Sequence, residues 1–290
     1  MPVVRYNDLD SFVARVEPYL LTHEAEHCLP LGILSTNKAH AANLAEPPYM
    51  ACAEDASGAV ALVALQTPPH NLVLSRLADG ADPSATLRGI AADARDANGA
   101  LPGVIGPKAV AKGFAQVWRA LTGDDYRAEL QERIYQLTTV IQPRPVSGFI
   151  RRVEEADRDL LRAWMEGFIR EALGPDTPDT ADNIIAPRLP GDANRGMYLW
   201  EDNGAPVSIA GFGSPTPHGI RIGPVYTPPE RRGRGYASAL VAATSQRLLD
   251  AGRDYCFLFT DLANPTSNHI YQAVGYEPVG DVSVYVFEPA

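Results

Sequence analysis

The chain of 290 residues is short of cysteine, of basic charge and of long apolar runs. Each shortage excludes something. Its three cysteines, Cys28, Cys52 and Cys256, are scattered and odd in number. That excludes a disulfide framework and the paired-cysteine spacing of a structural zinc site. Lysine and arginine total 25 against 35 aspartates and glutamates, a net charge of −10. A surface built to neutralise phosphates needs the opposite balance, so no nucleic-acid partner is expected. No stretch approaches the roughly 18 apolar residues of a membrane span. The opening MPVVRYNDLD carries acids where a secretory leader needs an apolar run. A cytoplasmic protein with no membrane partner is the expectation.

What the chain has in quantity is punctuation: 25 prolines and 24 glycines, gathered in clusters. Around Pro143 and Pro145 the segment QPRPVSG reads as a linker, because each proline biases its predecessor toward extended backbone. It divides the chain nearly in half, which predicts two domains, 1–142 and 147–290.

The halves resemble each other. Residues 53–77, AEDASGAVALVALQTPPHNLVLSRL, and 201–225, EDNGAPVSIAGFGSPTPHGIRIGPV, share an acidic start, a glycine turn, an apolar strand, a Thr-Pro cluster with histidine, and a second strand. Glu54 and Glu201 are 147 residues apart, His70 and His218 are 148 apart, and Tyr126 and Tyr276, like Tyr135 and Tyr285, are 150 apart. A period near 150 means two copies of one domain rather than a solenoid.

In the second copy, Leu160, Leu161, Trp164, Met165, Phe168, Ile169 and Leu173 recur at helical spacing, with Gly174 as the stop. Strands are predicted near 197–201, 205–213 and 219–226, then a helix over 235–251 ended by Gly252. The apolar strand DYCFLFTDL, a short helix over 265–274 and a strand at 281–287 complete the order. The strand–helix step at 219–251 is a parallel crossover, so the fold class is mixed α/β (α+β).

The segment IGPVYTPPERRGRGYASALV runs from a strand through a Pro-rich turn and an Arg/Gly run into that helix. Glycines allow close backbone approach, and first-turn amides with the helix dipole form an anion site. Arg231, Arg232 and Arg234 add positive charge in an otherwise acidic chain. A solvated basic helix start is the plain alternative. A dinucleotide fingerprint fails, because Ser238 replaces the third glycine and only about 55 residues follow, too few for the rest of a doubly wound sheet.

Arg232-x-x-Gly235-x-Ala237 resembles the R/Q-x-x-G-x-G/A motif of the GNAT acetyltransferase superfamily. The later FTDLANPTSNHIYQAVGYEPVGD is similar to the second GNAT signature, with Asn264, Ser267 and Tyr271 in matching places. The resemblance implies two tandem GNAT-like domains, each a mixed central sheet flanked by helices, with the second catalytic. It implies an acetyl-CoA-dependent N-acetyltransferase acting on a primary amine of a small molecule or peptide, without a metal and as a monomer or homodimer. The alternative is a non-catalytic acyl-CoA-binding regulatory module.

By that resemblance the loop Arg231, Arg232, Gly233, Arg234, Gly235, Tyr236 and Ala237 holds the pyrophosphate, and Val225 and Tyr226 hold the pantetheine arm. Asn264 and Ser267 add contacts, while Tyr271 touches the cofactor and serves as general acid to the thiolate. Asn264 before Pro265 also fits a helix N-cap. Pro224 and Pro228 suit strand ends. The first copy has ADGADPSATLRGIAADA in place of the Arg/Gly loop, and GPKAVAKGFAQVW has no second signature, so it is expected not to bind acetyl-CoA.

The general base stays unassigned. GIRIGPVY has no carboxylate, His218 fits a turn role shared with His70, and Glu230 faces solvent. Acids at Asp176, Asp179, Asp182 and Asp192 point to a cationic acceptor. Finally, His23-Glu24-Ala25-Glu26-His27 is a literal H-E-x-x-H, the spacing of two zinc ligands on a helix. Pro18 and Pro30 bracket it too closely for a zinc-peptidase helix, and polar positions on a surface helix are the expected reading.

Overall fold

The computed structural model describes residues 1–40, 46–173 and 177–290. Gly174 and Asp176 lie outside the described residues. The chain gathers into two units: 1–134 with 261–263 and 279–290, and 135–260 with 264–278.

The first unit runs β1 (Val3–Arg5), α1 (Leu9–Leu21), α2 (Cys28–His40), β2 (Tyr49–Glu54), β3 (Val60–Gln66), β4 (Leu72–Leu74), α3 (Pro83–Asn98), β5 (Gly103–Pro107), α4 (Lys108–Thr122), and most of β6 (Asp125–Leu137). β1 to β4 pair antiparallel in sequence, and β4 pairs parallel with β5. Strand β3 reads as an unbroken apolar run because both its faces are covered. Leu62 and Ala64 join one core with Ile90, Phe114 and Trp118, while Val63 and Leu65 join another with Phe12, Val16 and Leu31. The two-residue period of a strand deals its side chains alternately to two helical layers.

The later part of the chain repeats the order: β7 (Phe149–Arg152), α5 (Arg158–Phe168), α6 (Ala181–Ile185), β8 (Gly196–Asp202), β9 (Ala205–Gly213), β10 (Gly219–Tyr226), α7 (Tyr236–Asp250), β11 (Tyr255–Asp261) and α8 (Pro265–Val274) in the second unit, then β12 (Glu277–Glu288), which leaves that unit after Pro278. β7 to β10 pair antiparallel and β10 pairs parallel with β11, so each crossover helix, α3 or α7, links two parallel strands. Two of the predicted pairs fall on matching elements, with Glu54 in β2 and Glu201 in β8, and Tyr135 in β6 and Tyr285 in β12, whereas Tyr126 lies in β6 and Tyr276 just before β12. The apolar face of α5, extended by a π turn at Ile169–Leu173, packs Leu161 and Met165 against Leu199 and Ile209.

Unit membership differs from a cut at Pro143–Pro145. Residues 135–142 belong to the second unit, and 279–290, the chain's end, belong to the first. There Val282–Val286 of β12 pair antiparallel with Gly103–Pro107 of β5. Phe287 then lies in the first unit's core, its ring 5.5 Å from that of Trp118. Long-range strand pairing decides this, and no local pattern announces it.

The H-E-x-x-H segment is not helical. Residues 22–27 form a turn between α1 and α2, and His27 is fully buried rather than on a surface helix. Its Nδ1–H donates to the Leu20 carbonyl at 2.8 Å, and its Nε2 accepts the Arg76 amide at 3.1 Å. His23 meets the Arg76 guanidinium through its own Nε2. Both rings are therefore held in protein contacts, and among the described residues no three His, Cys, Asp or Glu side chains are grouped to hold a metal. Among them, too, no helix is long and apolar enough to cross a membrane.

Candidate active site in the second unit

β10 and β11 pair over only three residues, Gly219–Tyr255, Ile220–Cys256 and Arg221–Phe257. Past Arg221, β10 keeps its other neighbour, with Val225 opposite Ala210 and Tyr226 opposite Ile209. A register shift falls between Ile222 and Val225, around Pro224. Pro224 thus sits inside β10 at a bulge, not at a strand end, where its missing amide costs no ladder bond. The β11-side edge of β10 from Ile222 to Tyr226 has lost its partner strand. Main-chain donors and acceptors there are free to pair with a ligand.

The loop after Tyr226 makes a short 3-10 turn at Pro229–Arg231 and enters α7 through Gly235. Gly233 and Gly235 have φ of +74° and +82°, the left-handed region that glycine enters at no steric cost. Gly235 is the N-cap, and no side chain caps the helix. Among the described residues the first-turn amides of α7 therefore have no capping side-chain acceptor, and the helix dipole favours an anion beside them. In the first unit the matching helix α3 is capped by Asp82, whose carboxylate accepts the Ser84 and Ala85 amides. The same helix end is filled in one unit and open in the other.

Arg232 is clamped. Its Nε donates to the Thr227 carbonyl at 2.7 Å, its Nη2 pairs with Glu171 at 2.6 Å, and its guanidinium lies 5.5 Å over the Tyr226 ring. The Tyr226 hydroxyl donates to the other Glu171 oxygen at 3.1 Å. These bonds to Arg232 and Tyr226 hold the Glu171 carboxyl below its ordinary range against the opposing pull of burial. Arg234 is exposed and makes no ion pair among the described residues. Tyr236, a candidate ligand, turns the other way: it is 5% exposed, packs in the core, and its hydroxyl donates to Asp202 at 2.6 Å. Only its backbone can serve the site.

On α8, Asn264 caps the helix as expected, accepting the Ser267 amide at 3.0 Å. Tyr271 is buried beside Ile222 and Leu258, the side chains at the strand divergence, with Val225 packed against the same cluster. Its hydroxyl has no hydrogen-bond partner among the described residues, and burial pushes its pKa up to about 12. It remains protonated at neutral pH and available to donate. His218 lies exposed on the turn into β10, its carbonyl accepting the Asp254 amide. Glu230 is exposed.

Sequence reasoning missed Glu171. It belongs to the predicted helical run, but its partner Arg232 is 61 residues away, and periodicity says nothing about such pairs. Of the acids read as cation-facing, Asp182 pairs with Arg162 at 2.8 Å, and Asp192 accepts the Asn194 and Arg195 amides.

Comparison with known proteins gives a consistent picture. Residues 158–276 match the model of the acetyltransferase (GNAT) family. A Drosophila protein of solved structure matches with a TM-score of 0.68 and 11% identity, over 99% of this chain and 98% of that one. A GCN5-related N-acetyltransferase from Sphaerobacter thermophilus matches at 0.60 and 14%, over 98% and 94%. A GCN5-related N-acetyltransferase from Kribbella flavida matches at 0.54 and 18%, over 79% and 87%. At such identities the likeness is one of fold. No curated protein matches the sequence.

Proposed function

Since residues 158–276 of this chain match the acetyltransferase (GNAT) family, we propose that its second unit is an acetyl-CoA-dependent N-acetyltransferase whose acceptor is a primary amine. The observation that carries the reading is the joint opening of β10 from β11 and of the uncapped helix end at Gly235. Acetyl-CoA, when bound, supplies an activated thioester and a pyrophosphate anion.

Each demand of that molecule has a candidate in this chain. Amides of Gly233 to Ala237, with Arg231 and Arg234 nearby, suit the pyrophosphate. Main-chain groups at Val225 and Tyr226 on the unpaired edge of β10 suit the pantetheine arm and polarise the carbonyl. Asn264 and Ser267 flank the start of α8, and Tyr271 supplies a proton for the departing sulfur. No carboxylate lies on β10, so the ammonium proton is assigned to no residue. The first unit, with Asp82 occupying the matching helix end, is proposed not to bind acetyl-CoA. Location in the cytoplasm, without nucleic acid or membrane partners, belongs to the same proposal.

The test is release of free thiol from acetyl-CoA in the presence of an amine panel of amino acids, aminoglycosides, polyamines and peptides. Amine-dependent release supports the reading. Acetyl-CoA binding with no release across the panel favours the acyl-CoA-binding regulatory module instead.

A further inference from the structure

Three arginines converge on the α5/α6 side of β9 and β10. Arg188 ends the 3-10 turn after α6. Its Nη1 donates to the Ile184 carbonyl at 2.6 Å, yet its Nε is shut off from solvent with no partner among the described residues. It lies over Gly213: a Cβ there would be 3.6 Å from both Arg188 Nη2 and Arg195 Cβ. On the next residue, the Ser214 hydroxyl accepts Arg221 Nη2 at 3.1 Å. Arg221 also lies 5.7 Å over the Phe259 ring.

Such a cluster is costly, because a buried guanidinium wants a full set of acceptors and like charges repel. Burial and the charges of Arg221 and Arg195 push the Arg188 pKa down to about 10, opposed by Asp179. Arg188 is still cationic at neutral pH. Neither Arg188 nor Arg221 forms an ion pair among the described residues. A fold tolerates an unfilled buried Arg donor when a ligand supplies the acceptor.

Position decides which ligand. Arg221 is the last β10 residue paired with β11, so the cluster stands where the strands begin to part. Its side chain alternates with Ile220 and Ile222, which join the core that holds Tyr271. The arginines and Tyr271 thus occupy opposite faces of the sheet at the same gap. In a direct transfer, acceptor and donor must meet there.

We propose that Arg188, Arg195 and Arg221 bind an anionic group, a carboxylate or a phosphate, carried by the acceptor amine. This rests on the acetyltransferase reading and makes the acceptor a zwitterionic or anionic amine rather than a polycation.

The test uses matched pairs on the full chain: β-alanine against its amide, and phosphoethanolamine against ethanolamine. Thiol release should favour the charged member of at least one pair by about tenfold or more in kcat/KM, as expected for charge-assisted hydrogen bonds. Which pair responds identifies the anion. R188M and R221Q should erase the preference. R188M should also melt close to wild type, since removing the buried unpaired Nε donor offsets the lost hydrogen bond to the Ile184 carbonyl. Equal rates within both pairs overturn the inference and leave acetyl transfer standing. If no amine releases thiol, the acetyl-transfer reading fails, and succinate and inorganic phosphate are titrated alone. A rise in melting temperature in wild type but not R188M sustains the anion site; no Arg188-dependent rise overturns it.

Discussion

Arg232 and Glu171 form a 2.6 Å ion pair, and the carboxylate that accepts Arg232 also accepts the Tyr226 hydroxyl. The motif arginine is therefore a brace between the end of β10, the following loop and the π turn after α5. Arg232→Ala should weaken acetyl-CoA binding by about tenfold through loss of loop order, comparable to one charge-assisted hydrogen bond. Arg232→Lys should fail to rescue, because a lysine cannot bond Thr227 and Glu171 while stacking on Tyr226. Calorimetric titration of acetyl-CoA reads both; wild-type affinity in the lysine variant would reduce Arg232 to a plain charge.

Asp82 and Gly235 make a paired test of the two helix ends. Asp82→Ala should cost about 1 kcal/mol of stability as a lost N-cap, and leave acetyl-CoA affinity unchanged. Gly235→Ala should do the reverse, lowering affinity more than stability. Its φ is +82°, and the new Cβ would meet Val146 Cγ1 at 3.0 Å. Denaturant melts and the same titration separate the two outcomes.

Tyr271→Phe should lower kcat by about 100-fold or more, in the range of general-acid contributions, with acetyl-CoA affinity nearly intact. Stability should hold, since the hydroxyl has no partner to lose among the described residues. With a pKa near 12, Tyr271 should add no alkaline limb to the rate profile below about pH 10. Equal turnover in mutant and wild type would remove Tyr271 from the chemistry.

His27 should make the first unit sensitive to acid. Burial pushes its pKa from the ordinary 6.5 down to about 4. Between those values the unfolded chain binds the proton and the folded one does not, so stability is full above pH 6.5 and falls toward pH 4. The loss amounts to about 3 kcal/mol at most, from about 1.4 kcal/mol per unit. His27→Gln should be less stable at pH 7 but flatter across that window, as followed by urea melts at several pH values.

Gly167 on α5 is required by Tyr226, whose hydroxyl oxygen would lie 2.5 Å from a Cβ at that position. Gly167→Ala should destabilise the protein by about 1–3 kcal/mol through overpacking, despite alanine's better helix propensity. It should also weaken acetyl-CoA binding by displacing Tyr226 from Glu171. A neutral effect in both measurements would mean the ring has room to move.

Much of this was legible in the residues alone. Helical spacing in Leu160–Ile169, the strand GIRIGPVY, the Arg/Gly run before α7 and the Asn-Pro cap of α8 all depend on neighbours within a few positions, where periodicity and capping chemistry act. The repeat at a period near 150 announced two copies of one fold, and the shortage of basic residues made the arginines at 231–234 stand out. Tertiary structure alone decided the rest. It placed the last strand, β12, in the first unit; it buried His27; it bound Arg232 to Glu171; and it brought Arg188, Arg195 and Arg221 together. All four outcomes join residues far apart in the chain, and the energy of such a contact depends on distance and burial, which a linear pattern does not encode.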